Sequence, residues 1–261
     1  MLHWRRLLTR CLSEAVALMR SESAPRAGLR VLMYHAVGTP AAGDKLGIYN
    51  ISPALFASQI EAMTTTHSDI EFVALAHTAP SKGQLRIAVT FDDGYRDNLH
   101  AAAPVLQEQG IPFTVFACTN FIRSNSGEYL SKAELQKLAS IPGATIGSHG
   151  VSHTRLTELS AYALRDELIS SKCFLEDVTG KAVVSLSYPH GAVNRRVRDA
   201  AEDAGYAIGT CSRFDINGPG CDALTLARTD ILGIDSVRIF KQKLRGDWDW
   251  YRWRSTAVAI R

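Results

Sequence analysis

The chain has 261 residues, 46% hydrophobic and 21% charged, a balance that excludes disordered and fibrous classes and suffices for one large α/β domain with a full core. Its formal charge of +3 sits at its ends: residues 1–30 hold six Arg against two Glu, residues 241–261 hold six basic against two acidic side chains, and the stretch between is acidic. An acidic body lacks the continuous basic face of a nucleic-acid binder, so no nucleic-acid partner is expected.

Met1 to Arg10 opens like the basic start of a secretory leader, but the apolar run after it is short and broken by Glu14, and no small-residue cleavage site follows. No run approaches the ~18 apolar residues of a membrane span. Trp4, Leu8, Cys11, Leu12, Ala15 and Met19 share one helical face, with Arg5, Arg6, Arg10 and Arg20 elsewhere. Residues 1–28 therefore read as a basic amphipathic helix that packs on the domain or rests on a membrane surface. The expected location is cytoplasmic or peripheral at the membrane. Cys11, Cys118, Cys173, Cys211 and Cys221 are scattered and form no C-x-x-C pair, which predicts reduced, mostly buried thiols.

From residue 29 strands and helices alternate. Apolar, β-branched runs predict strands at Leu29–Tyr34, Phe72–Leu75, Ile87–Phe91, Phe113–Ala117, Thr145–Ser148, Val183–Tyr188 and Tyr206–Cys211. Ser52 and Pro53 start a helix carrying Leu55, Phe56, Ile60 and Met63; Asp97 caps another that runs to Gln109 and stops at Gly110. Ser131 and Glu134 form a capping box, Leu159–Val178 is closed by Gly180, and Asn194–Ala204 by Gly205. No linker or internal repeat divides residues 29–246, so the expected fold is a single α/β barrel of parallel strands, with chemistry at their carboxyl ends.

Three strand ends carry candidate chemistry. Thr90-Phe91-Asp92-Asp93-Gly94-Tyr95 places adjacent carboxylates where they cannot both point into the core. Ser148-His149-Gly150-Val151-Ser152-His153 places two imidazoles at i and i+4, on one face if the segment is helical. Barrel geometry brings both ends to one rim, where a carboxylate and two histidines make a three-ligand metal site with a position left for water. Ser187-Tyr188-Pro189-His190-Gly191 predicts a tight turn whose backbone N–H groups can face a developing oxyanion.

These motifs, in this order, resemble the polysaccharide deacetylase family, the NodB-homology domain of carbohydrate esterase family 4. The likeness spans about residues 29–245 and includes Arg96-Asp97-Asn98 and the run Gly110-Ile111-Pro112-Phe113-Thr114-Val115-Phe116. It implies a distorted (β/α)7 barrel, TIM-like in plan, that hydrolyses N-acetyl, sometimes O-acetyl, groups on sugars. Carried over by residue, Asp93, His149 and His153 would hold a divalent metal, usually Zn2+, and Asp92 would be the general base. Tyr188, Pro189, His190 and Gly191 would face substrate, with the His190 N–H on the oxyanion.

The chain departs from the family pattern in places. Gly150 stands where a Ser or Thr is common, and Ser187-Tyr188 replaces the usual Arg before the Pro; Arg228 is a candidate to orient Asp92 instead. No Leu-x-His occurs near the C-terminus, and no histidine follows His190. Met33-Tyr34-His35-Ala36-Val37, with Ile51-Ser52-Pro53 leading into the next helix, resembles a circularly permuted branch whose general acid lies on the first strand, which makes His35 the expected acid. The expected partner is an acetylated glycan or glycoconjugate, its subsites in loops such as Thr39–Tyr49 and Phe214–Asp222. The alternatives are an O-acetyl esterase, a non-sugar amide hydrolase or a silent carbohydrate-binding barrel. Residues 247–261, rich in Trp and Arg, form a tail that packs across the barrel, stacks on a sugar or meets a membrane interface.

Overall fold

The computed structural model describes residues 27–254 apart from 41–43, 45, 67–69 and 76–83. The amphipathic helix expected over residues 1–28 lies outside the described residues but for its last two. Among the described residues no helix is long and apolar enough to cross a membrane.

The strands are β1 (Gly28–Tyr34), β2 (Ala36–Val37), β3 (Asn50–Ile51), β4 (Ile70–Phe72), β5 (Leu85–Phe91), β6 (Phe113–Ala117), β7 (Ala144–Ser148), β8 (Ser185–Ser187), β9 (Ile208–Thr210) and β10 (Arg228–Asp230). They pair in the order β10-β1-β5-β6-β7-β8-β9, every pair parallel. A parallel bridge from Thr210 to Leu226 carries β9 back toward β10, so the sheet nearly closes into the expected barrel. Off this ring, β2 pairs β3, and β4 pairs the start of β5.

Two layers of apolar side chains follow from the period-2 alternation of each strand. Outward-facing Leu32, Tyr34, Val89, Phe91, Phe113 and Val115 meet the helices. Inward-facing Leu29, Val31, Ala88, Phe116 and Ile208 fill the barrel together with Val73 and Leu75. The strand expected at Phe72–Leu75 ends at Phe72, although Val73 N–H still donates to Ile87 O (2.9 Å), and Val73 and Leu75 plug the barrel. Phe116 fits only because Gly147 lies beside it, where a Cβ would stand 2.4 Å from the Phe116 ring.

The helices are α1 (Pro53–Thr66), α2 (Ala103–Glu108), α3 (Thr119–Ser124), α4 (Lys132–Ser140), α5 (Ala161–Thr179), α6 (Arg195–Asp203) and α7 (Val237–Arg245). Ser131 and Glu134 form the expected capping box, and Gly180 closes α5 in the left-handed conformation. Asp97 is not the expected cap. Its carboxylate accepts from Thr39 N–H (2.9 Å) and Asn98 Nδ2 (3.2 Å), and the chain enters a π-helical turn, Asn98–Ala102, before α2. Of the cysteines expected to be mostly buried, Cys118 and Cys211 are buried, while Cys173 and Cys221 are exposed; all four are unpaired.

β10 is the one strand of the ring that the pattern missed. Its sequence, Arg-Thr-Asp, has no apolar residue, yet Arg228 and Thr229 are fully buried because each meets a polar partner. Thr229 accepts from Arg30, and Arg30 in turn forms a two-pronged pair with Asp249 (2.9 and 3.1 Å) in the C-terminal segment. Beside that pair Trp248 packs with Phe214 and Ile239. Replacing Asp249 by Ala leaves the Arg30 guanidinium buried without its counter-ion, so Asp249→Ala is expected to lose about 3–5 kcal/mol. Chemical denaturation of the two proteins reads that difference.

Candidate active site

The strand ends of β1, β5, β7 and β8 converge on one rim. Asp92 is 3% exposed, and both its oxygens are held by Arg228, Nη1 to Oδ1 and Nη2 to Oδ2 at 2.7 Å each. Ser187 Oγ donates to Asp92 Oδ2 (3.1 Å) and accepts from Arg228 Nη2 (2.9 Å), closing a triangle. Burial pushes the Asp92 carboxyl up, but the guanidinium beside it, helped by His149, overrides that and holds it well below the usual carboxylate range. The orienting contact expected from Arg228 is present. It also answers the expectation that two neighbouring carboxylates cannot both turn inward: both are buried, and Asp92 is neutralised there.

Asp93 faces the other way because its φ is +72°, a left-handed conformation that breaks strand alternation. Its Oδ1 lies 3.5 Å from His149 Nε2 and 3.2 Å from His153 Nε2. Burial raises the Asp93 carboxyl and the facing imidazoles lower it, with a net downward shift. His149 Nδ1 lies 2.7 Å from the Ser187 carbonyl, which can only accept, so Nδ1 carries the proton and the Nε2 lone pair faces Asp93 when the ring is neutral. Burial, with His153 nearby, pushes His149 down to about 4, while the Asp93 contact outweighs burial at His153 and raises it.

The two histidines do not sit on a helical turn as the i, i+4 spacing suggested. Gly150 and His153 have φ of +74° and +58°, and the loop is held by Glu167 of α5, which accepts from the N–H groups of Val151 (2.7 Å) and Ser152 (3.1 Å). Gly150 is thus more than a lost hydroxyl: a Cβ there would meet Glu167 at 3.0 Å. Glu167 gave no signal in the sequence, being one acidic residue on a long helix.

Asp93, His149 and His153 can hold a metal ion. One donor atom from each lies within 4.8 Å of the others, and Asp93 Oδ1 is buried without a well-formed hydrogen bond. Donors about 2.0–2.2 Å from a tetrahedral ion stand about 3.3–3.6 Å apart, close to the two separations seen here.

The Pro-x-Gly turn follows β8 with His190 at φ +59°. Its imidazole is exposed, 4.6 Å from the His153 ring, and Nε2 donates to the His153 carbonyl (3.1 Å). Tyr188 is a correction: its side chain is fully buried and its hydroxyl donates to Leu224 O (2.8 Å), so it is core and cannot touch substrate. Pro189 and Gly191 are buried as well, so the turn offers backbone and the His190 ring.

His35 follows β1. Its carbonyl accepts from Asn98 Nδ2 (2.9 Å), its Nδ1 is buried without a partner, and Asp92, Asp93 and Asp230 lie within electrostatic reach of its ring. Asp230, the last residue of β10, went unnoticed in the sequence because its strand did. It is half-buried, and its Oδ1 is enclosed without a partner; desolvation raises its carboxyl despite Lys243 and His35.

A family model, polysaccharide deacetylase, matches residues 79–209, half of the chain. The chain belongs to the polysaccharide deacetylase family. It is 28% identical over 189 residues to YxkH of Bacillus subtilis, a candidate polysaccharide deacetylase by name, covering 70% of this chain and 64% of that protein. It is 29% identical over 137 residues to the peptidoglycan-N-acetylglucosamine deacetylase PgdA of Listeria monocytogenes, covering 52% of this chain and 27% of that one. The chain thus spans less than two thirds of the length of these relatives. Two solved structures share the fold: Streptococcus pyogenes deacetylase PplD (TM-score 0.72, 22% identity, 85% of this chain and 99% of that one) and IcaB from Ammonifex degensii (TM-score 0.72, 23% identity, 85% and 98%). The deacetylase match covers Asp92, Asp93, His149, His153 and the turn, while His35 and Arg228 lie outside it.

Arg228→Lys keeps a positive charge but cannot grip both oxygens of Asp92. With burial then less opposed, the carboxyl rises. If ionised Asp92 is needed for turnover, the acid limb of a pH–rate profile moves to higher pH. The pairing also stabilises the fold above the ordinary carboxylate range, a contribution lost as pH falls through the depressed value. Acid unfolding of Arg228→Lys therefore begins at higher pH than that of the parent chain.

Proposed function

We propose that the chain is a metal-dependent hydrolase that removes N-acetyl groups from a sugar of a polysaccharide or glycoconjugate. The observation that carries this is the setting of the Arg228-clamped Asp92 beside Asp93, His149 and His153 at the strand ends of a deacetylase-family barrel. Two imidazole nitrogens and one carboxylate oxygen suit zinc. Such an ion, when bound, polarises the acetyl carbonyl and lowers the pKa of water toward ~7.

The chain's own groups then have distinct tasks. Asp92, kept ionised by Arg228, takes a proton from the attacking water. His149 is held by Ser187 O and the loop leading to His153 by Glu167, so that their donor atoms stay beside Asp93. The His190 backbone N–H faces the oxyanion as it forms. His35 gives a proton to the leaving nitrogen, since an amide anion is too basic to depart unaided. In this reading the chain follows the permuted arrangement, with its acid just after β1 instead of near the C-terminus. The PgdA likeness supports N-acetylglucosamine-containing glycans as first substrates.

Acetate release from acetylated chitooligosaccharides, poly-N-acetylglucosamine and peptidoglycan fragments, with metal content measured on the same samples, tests the reading. Asp92→Asn is expected to retain metal and lose activity on the order of 10²–10⁴-fold. Asp93→Ala should lose the metal. Metal loss from Asp92→Asn would exchange the two roles, and stoichiometric zinc without acetate release would favour a silent binding barrel.

His35→Ala separates the general acid from the rest. It should keep metal and lose amide hydrolysis far more than hydrolysis of activated acetyl esters, whose leaving groups need little protonation. Equal losses on both substrates would mean that His35 is structural.

A further inference from the structure

Tyr49 stands where the sugar must lie if His35 protonates the leaving nitrogen. The two rings are 4.6 Å apart, centroid to centroid, and tilted by 50°. Tyr49 is nevertheless 38% exposed, and of the large exposed apolar side chains among the described residues it alone has a ring against a site residue.

The exposed ring is held in place by its backbone. The Tyr49 N–H donates to Asp44 Oδ2 (2.6 Å), and its carbonyl accepts from Ala36 N–H (3.2 Å), next to His35. On its other neighbour, Ile48 O accepts from Gly233 N–H (2.8 Å), beyond the end of β10. A half-exposed aromatic face on an anchored backbone is a binding surface partly organised before the ligand arrives, which lowers the ordering cost.

The chemistry of the substrate fits that face. A leaving nitrogen within reach of His35 is bonded directly to a ring carbon, so the pyranose lies within one residue's breadth of Tyr49. A pyranose presents a flat patch of C–H groups that packs on an aromatic ring, whereas an acetylated lysine or other flexible amine presents none. We propose that Tyr49 is the platform for the sugar ring carrying the scissile acetamido group, and that it sets the preference for sugars over other acetylated amines. This inference rests on the deacetylase reading.

Steady-state kinetics on acetylated chitooligosaccharides test it. Tyr49→Ala and Tyr49→Leu should raise KM and lower kcat/KM on the order of 10–100-fold. Tyr49→Trp, which keeps a face, should stay within about threefold. The loss of Tyr49→Ala on 4-nitrophenyl acetate should be at least about tenfold smaller than on the glycan, because that ester has no sugar to stack. Equal losses on glycan and ester would overturn the platform and assign Tyr49 to His35 instead. Calorimetric titration of N-acetylchitotetraose into Asp92→Asn, with and without Tyr49→Ala, reads the platform without turnover. Weaker binding in the double variant supports it; equal affinity, or no binding by either protein, overturns it. Tyr49-dependent binding by a wild-type chain that releases no acetate would sink the deacetylase reading and leave the platform standing.

Discussion

A guanidinium with no exposed surface sits in the barrel beside the site, and much of the polar architecture answers to it. Arg228 cannot shed its charge, so it must be matched where it lies, by both oxygens of Asp92, by Ser187 Oγ and by the Cys211 carbonyl (3.2 Å from Nε). Breaking such a pair costs about 3–5 kcal/mol, a large share of the ~5–15 kcal/mol that holds a domain together. The same pair fixes the geometry and ionisation of the residue assigned as base. Stability and chemistry here draw on one contact, which constrains how either could change.

The site also depends on backbone that the chain would not adopt unforced. Asp93, His153 and His190 are three of the four non-glycine residues with positive φ among those described, and all three line the rim. Such conformations cost on the order of 1–3 kcal/mol each and persist where surroundings over-determine them. Glu167 grips the His149–His153 loop from α5, and the His190 imidazole ties its own turn to His153. Strain at Asp93 is what lets consecutive aspartates face different partners.

The parallel barrel was legible because its main strands are apolar runs, and β6 matches its expected span. The chemistry-bearing pairs were legible as residue types at strand ends. What stayed hidden was what burial by pairing conceals. β10 reads as a polar turn, yet Arg228 and Thr229 are enclosed because their partners, Asp92 and Arg30, lie far away in sequence. Asp230 was lost with it. The i, i+4 histidines converged, but through a glycine-dependent loop that spacing cannot distinguish from a helix. Tyr188 looked like part of a substrate-facing turn, and only the fold shows its hydroxyl spent on Leu224 O.

The Arg30–Asp249 pair has a consequence for how the molecule is made. The partners are separated by 219 residues, so during synthesis β1 emerges with a charge destined for burial long before its counter-ion exists. β1 also cannot find β10 until then, since Val31 aligns with Arg228. A seam joined by contacts of such sequence separation makes for slow, late closure. Until it closes, the edge of β1 that faces β10 stays open to pairing with other chains.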